Sequence, residues 1–310
     1  MNKTILILAL MSLNLFGGCL DVGTTTGQSC TDDTINVDFM TTTFSSTMKV
    51  SDNNLNVLEI PIYVASDTTE AVSMTISELS ALQNSDHDII DTKLEYIQGG
   101  SVVATITNGT AFTLLADGES SRDGNTEVGR IRITINSALS DTQTAGSYKL
   151  SKSMTVKLGN GSDSSSETLE SRGVVEQVSM VGFENLSSYT TGQAFKNGLV
   201  DYGNFTLNSA NEQIKDIFVK NNTNGDFQLK FETSDLISQI DSNYKIAMSY
   251  YYKKTDASEQ SISNNQYFTI MSGKNNGSKV GEMRFVTEPL TSSLIAGEYK
   301  ATINVTVQAQ

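Results

Sequence analysis

The feature that most constrains this chain is an internal repeat. Ala145-Gly146-Ser147-Tyr148-Lys149 returns as Ala296-Gly297-Glu298-Tyr299-Lys300, an offset of 151 residues. Upstream, Gly129-Arg130-Ile131-Arg132-Ile133 matches Gly281-Glu282-Met283-Arg284-Phe285 at an offset of 152, and Ala111-Phe112-Thr113-Leu114-Leu115 matches Tyr267-Phe268-Thr269-Ile270-Met271 at 156. Ile62-Tyr63-Val64 and Val72-Ser73-Met74-Thr75-Ile76 return as Ile217-Phe218-Val219 and Phe227-Gln228-Leu229-Lys230-Phe231, both at 155. Blocks in one order, with offsets drifting by a few residues, are two copies of one domain. The drift falls in polar loops, where insertions are tolerated.

Within each copy the apolar period is two. Val72, Met74 and Ile76 alternate with Ser73 and Thr75, and Ile131, Ile133 and Ile135 alternate with Arg132 and Thr134. That is the signature of strands burying one face. Candidate strands are separated by turn clusters such as Asp117-Gly118 and Asn276-Gly277, the pattern of an antiparallel sandwich. The fold class expected is all-β, with two tandem immunoglobulin-like antiparallel β-sandwich domains. The first spans residues 35–158 and the second 174–310, joined by a Gly/Ser-rich linker at 159–173. Short helical stripes at Ile76 to Leu82 and Ser234 to Ile240 occupy matching positions, so a helical turn between strands is expected there.

The N-terminus reads as a targeting segment. Lys3 supplies a positive start and Ile5 to Phe16 is an apolar run, too short for a membrane span and right for a signal peptide over residues 1–18. It ends in Leu15-Phe16-Gly17-Gly18-Cys19, which resembles the lipobox of bacterial lipoproteins, with Phe16 where Leu or Val is usual. Lipidation at Cys19, or ordinary cleavage near it, would leave residues 19–34 as a polar tether. The chain has two cysteines, Cys19 and Cys30. A lipidated Cys19 leaves Cys30 unpaired, and an unlipidated one permits a short-loop disulfide in an oxidising compartment.

Little in the sequence carries chemistry. The net charge of −14 opposes nucleic-acid binding, which needs Lys and Arg to neutralise phosphates. One histidine, His87 in Ser85-Asp86-His87-Asp88, reads as a solvated loop residue and leaves zinc sites and Ser-His or Cys-His nucleophiles without their parts. No phosphate-binding glycine loop occurs. Acids such as Glu95 and Asp123 have no counterpart in a site shared by the copies, so a carboxylate hydrolase is disfavoured. The oxygen-rich loops at 84–91 and 117–125 lack the spacing of a calcium loop. No catalytic residue, metal ligand or cofactor is assigned. Tyr250-Tyr251-Tyr252 is the most aromatic stretch. Tyr250 and Tyr252 are candidate ligand contacts, although aromatic residues are also strong strand formers.

The Ala-Gly-x-Tyr-x turn entering a last alternating strand resembles bacterial fimbrial subunits. It is similar to the alternate chaperone–usher pilins and the spore-coat-U-like secreted domains. Gly146, Tyr148, Gly297 and Tyr299 carry the resemblance, which covers the C-terminal third of each copy. It implies a sandwich lacking its seventh strand, whose groove is filled by an extended segment of a neighbour. It also implies filament or surface subunits, and a periplasmic chaperone, as partners. The lipobox and the tandem similar domains depart from that family. Strand addition requires an extended segment with alternating side chains. Ile35, Val37 and Phe39 form such a candidate donor strand, or else the first strand of their own domain.

The function expected is that of an exported cell-surface structural or adhesive protein, a fimbrial subunit or tip component assembling through strand pairing. The alternative is an outer-membrane-anchored lipoprotein that binds a glycan or protein ligand through its loops.

Overall fold

A computed structural model of the chain describes residues 19–29, 35–44, 47–48, 56–67, 69–77, 81–119, 122–135, 138–140, 142–159, 164–189, 195–196 and 198–309. The expected signal segment (residues 1–18), Cys30 and residues 160–163 of the expected linker lie outside these.

The described residues form strands and connecting turns and no helix, so the fold is all-β. The reason is compositional: the alternating Val, Ile, Tyr and Thr runs suit a pleated, half-buried surface, and Gly-, Asn- and Asp-rich turns interrupt them. The helical turn expected over Ser234 to Ile240 is not formed, and the centre of the one expected over Ile76 to Leu82, residues 78–80, lies outside the described residues. Leu236–Ser238 is a short strand, and Val72–Ser77 and Leu82–Gln83 are strands at the ends of the other segment. Among the described residues no helix is long and apolar enough to cross a membrane.

The two copies build their first sheets identically. In copy one the order is Ile35–Asp38, Leu20–Gly23, Val57–Ser66, Arg122–Ile135, Thr92–Gln98, Ser101–Thr105. In copy two it is Phe195–Lys196, Ser179–Gly182, Glu212–Asn221, Asn275–Thr287, Met248–Lys254, Glu259–Ser261. In each, the first pair is parallel and the rest antiparallel. Equivalent residues meet: Gly129 faces Ile62, and Gly281 faces Ile217. A tyrosine crosses behind each of these glycines. The Tyr96 hydroxyl donates to the Val128 carbonyl at 3.2 Å, and the Tyr252 hydroxyl to Ile270 and Val280 carbonyls at 3.1 and 3.3 Å. A Cβ at Gly129 would overlap the Tyr96 hydroxyl, and one at Gly281 the Lys253 carbonyl, so close approach demands glycine there.

The boundaries differ from the sequence reading at both ends of copy one. Leu20–Gly23, read as tether, is an inner strand of the first sheet, with Leu20 and Val22 fully buried. Ser164–Val175, read mostly as linker, is a strand paired with Gly146–Leu158 from Lys157↔Ser164 to Gly146↔Val175. Its outward face is hydroxylic and charged, which gave it a linker's composition, while Leu169, Ser171, Gly173 and Val175 point inward and are buried.

Copy one thus has a second sheet ordered Ala111–Leu115, Val72–Ser77, Gly146–Leu158, Ser164–Val175, Thr42–Thr43. The chain then passes directly into copy two, and the junction is hydrogen-bonded. Buried Asn222 accepts from the Val178 amide at 2.8 Å and donates to the Glu176 carbonyl at 2.9 Å, while its own carbonyl accepts from the Ala145 amide at 2.9 Å. Lys274 pairs with Asp88 at 2.6 Å, and Asn224 donates to Asp86 at 2.6 Å.

Candidate functional site

The repeated turn is a local device for starting a strand. Gly146 and Gly297 have φ of 122° and 148°, a region that favours glycine. Two residues on, each tyrosine reaches back four positions: Tyr148 donates to the Thr144 carbonyl at 2.9 Å and Tyr299 to the Ile295 carbonyl at 3.0 Å. Tyr148 is fully buried and its hydroxyl also accepts from Gln143 at 2.8 Å. Tyr299 is half-buried. One motif therefore sits in two environments.

The strands that the two turns start are built differently. In copy one, the strand runs unbroken over Gly146–Leu158, with Val72–Ser77 on one side and Ser164–Val175 on the other. In copy two it is broken. Tyr299–Lys300 pairs with Leu236–Ser238, and Asn304–Ala309 pairs with Asp226–Glu232. The other edge of Asn304–Ala309 meets no strand among the described residues. Burial tracks this pairing: Leu150, Met154 and Val156 are fully buried, whereas their counterparts Ala301, Val305 and Val307 are half-buried.

Where this strand is broken, beside residues 297–303, is a cleft of ≈ 580 Å³. One wall is the 297–303 stretch, the other the 198–205 stretch, and Leu236, Met248, Tyr250 and Phe285 form its apolar floor. In copy one the corresponding place, between Gly146–Leu158 and Thr42–Thr43, holds Ser164–Val175. The cleft is a slot floored by core residues of copy two. Leu199, at its rim, is 74% exposed. The Tyr202 hydroxyl is buried with no hydrogen-bond partner among the described residues, and burial pushes its pKa well up. A buried, unpaired hydroxyl is costly. No sequence signal marked Tyr202 or Ala301, because both matter only through the shape of the slot.

Most residues singled out from the sequence lie away from this slot. Tyr250 and Tyr252 point into the core of copy two, 5% and 1% exposed. The Tyr250 hydroxyl donates to the Ser234 carbonyl at 2.7 Å, and burial pushes both hydroxyls up to about 12. They are core residues rather than loop contacts, and only Tyr250 borders the slot. Tyr251 is the outward member, stacked under Arg284 at 4.4 Å. Ile35 and Val37 lie in a parallel edge strand of copy one's own sheet, and Phe39 is buried in its core. The Phe39 amide donates to Glu167 of the closing strand at 2.8 Å. Cys19 is buried and disulfide-bonded, and its amide donates to Asp67 at 2.8 Å. His87 is exposed on a turn, near Gln83. Among the described residues no three His, Cys, Asp or Glu side chains group as metal ligands.

No family model matches the chain, and no curated protein matches it. Solved structures similar to it include chaperone–usher pilus subunits and tip adhesins. A chain of the chaperone–tip adhesion subunit pre-assembly complex of archaic chaperone-usher Csu pili from Acinetobacter baumannii is 12% identical, covers 87% of this chain and 97% of its own, and gives a TM-score of 0.44. The CupB6 tip adhesin of Pseudomonas aeruginosa is 11% identical, covering 85% and 90%, at 0.39. The CooA pilin subunit of enterotoxigenic Escherichia coli is 16% identical, covering 51% and 99%, at 0.34.

Proposed function

We propose that this chain is an exported surface protein of the pilus type in which copy two accepts an extended strand from another subunit. The observation that carries this reading is the contrast between the copies. The same sheet is closed by a 12-residue strand in copy one and bordered by a slot in copy two. An incoming strand would complete the sheet through backbone hydrogen bonds and seat alternate side chains in the slot. Copy one has its own closing strand, so the chain accepts at one place, which suits an end position in an assembly. The Ile35-to-Phe39 segment is used within its own domain, which weighs against it as the donor.

Of the two fates of Cys19, the disulfide is the one the fold supports. A sulfur in a disulfide carries no thioether lipid, and Leu20 begins the sheet immediately. Intact mass of the mature protein separates the two, since a lipid adds mass and a disulfide removes two hydrogens.

The strand-acceptor reading is tested by grafting. A second copy of the Ser164–Val175 sequence is fused after Gln310 through a short turn, in the hairpin order of copy one. Strand acceptance predicts a higher melting temperature and slow amide exchange in Asn304–Ala309. Unchanged melting and exchange would overturn it.

A further inference from the structure

The copies also differ in which side chains an inserted strand would meet. The offset of 151 equates Leu150 with Ala301 and Lys152 with Ile303. In copy one, Leu150 faces Ser171 across the ladder, and both are fully buried. The pair is one large and one small side chain sharing a fixed space. In copy two the large member is replaced by alanine, and the slot lies beside it. Interiors pack to near-constant density, so the missing volume has to come from the other strand.

We propose that the slot of copy two selects its strand by size at one position: a large unbranched or γ-branched apolar side chain, leucine or methionine in kind, opposite Ala301. This inference rests on the strand-acceptor reading and adds the sequence rule of the partner. Copy one's own closing strand, with Ser171 at that station, is a poor fit to copy two. That mismatch makes a second copy's closing strand a weaker ligand of the slot than a leucine-bearing strand, so the chain favours a different subunit over itself.

The test uses the full chain and two capped 12-residue peptides, one with the Ser164–Val175 sequence and one carrying Ser171→Leu, with affinities read by calorimetry. The leucine peptide is expected to bind about fiftyfold more tightly, as burying three further carbons implies. In the Ala301→Leu chain the order inverts, because the space is then filled from the other side. Equal affinity of the two peptides for the wild-type chain overturns the size rule and leaves strand acceptance standing. Binding of neither peptide at millimolar concentration overturns strand acceptance itself. A methionine peptide run against the wild-type chain keeps the test valid if Ala301→Leu does not fold: it should match the leucine peptide and not the serine one.

Discussion

Two strands of this molecule begin with the same turn and end differently. Gly146–Leu158 is flanked on both sides and buries Leu150, Met154 and Val156 completely. The 299–309 stretch has a neighbour on one side of each half, and its inward residues are half-buried. The turn, with its positive-φ glycine and back-bonded tyrosine, therefore specifies where a strand starts. What completes the sheet is decided by the chain beyond it. A repeat can conserve folding geometry and still differ in how each copy completes its sheet.

The largest effect should come from emptying the closed side. Leu169→Ala removes a fully buried side chain from the strand that closes copy one, at a cost of about 3 kcal/mol. Val305→Ala, on the half-buried strand of copy two, should cost about 1 kcal/mol, because a partly exposed side chain buries less area. Chemical denaturation of both variants measures the ratio. Equal losses would break the comparison.

Next come the positions where the copies should agree. Gly129→Ala and Gly281→Ala each force a methyl against the crossing tyrosine or a neighbouring carbonyl, and each should destabilise its copy by about 2 kcal/mol. A large effect in one and none in the other would mean that the shared offset does not reflect shared packing. Smaller still is the motif tyrosine. Tyr148→Phe strands the Thr144 carbonyl and two side-chain donors and should cost about 1.5 kcal/mol. Tyr299→Phe leaves one carbonyl near solvent and should cost under about 0.5 kcal/mol.

The pH response supplies the mildest test. Burial pushes Tyr96 in copy one and Tyr250 and Tyr252 in copy two up to about 12. Their folded values exceed the ordinary value of 10, so the stability they contribute is complete below pH 10 and is lost as pH rises through 12. Tyrosinate absorbance should show these three ionising late, one in copy one and two in copy two. At the acid end, hydrogen bonds from Arg132 and Arg130 hold Glu59 below 4.5, and those from Arg284 hold Glu259 below it. Those contributions are present at neutral pH and fade as pH falls below 4.5. Both carboxylates are largely solvent-facing, so Glu59→Gln should shift stability at neutral pH by less than about 0.5 kcal/mol.

Much of this architecture was legible in the residues. Apolar alternation marked the strands, and the offsets aligned Gly129 with Gly281 and Tyr148 with Tyr299. Three things were not legible, each for a physical reason. Leu20–Gly23 and its counterpart Ser179–Gly182 share only a Val-Gly pair, too little to stand out as a repeat, and the first abuts the expected targeting segment. Ser164–Val175 buries two apolar side chains, a serine and a glycine, so composition reads it as a linker when its role is to close a sheet. Tyr250 and Tyr252 read equally as ligand contacts or strand residues, and only packing decides that they face inward. The slot was invisible for a further reason: it is defined by a strand that copy one has and copy two does not show among its described residues.

If copy one is closed where copy two accepts a strand, amide exchange should register the difference residue by residue. In the full chain under native conditions, the amides of Ser153 to Lys157 should all exchange slowly, since both edges of that strand are paired. In Asn304–Ala309 the amides that bond Asp226–Glu232 should be slow and the alternate ones, on the edge that meets no strand among the described residues, fast. Uniform protection across Asn304–Ala309, equal to that of Ser153 to Lys157, would show that copy two is closed as well and accepts nothing.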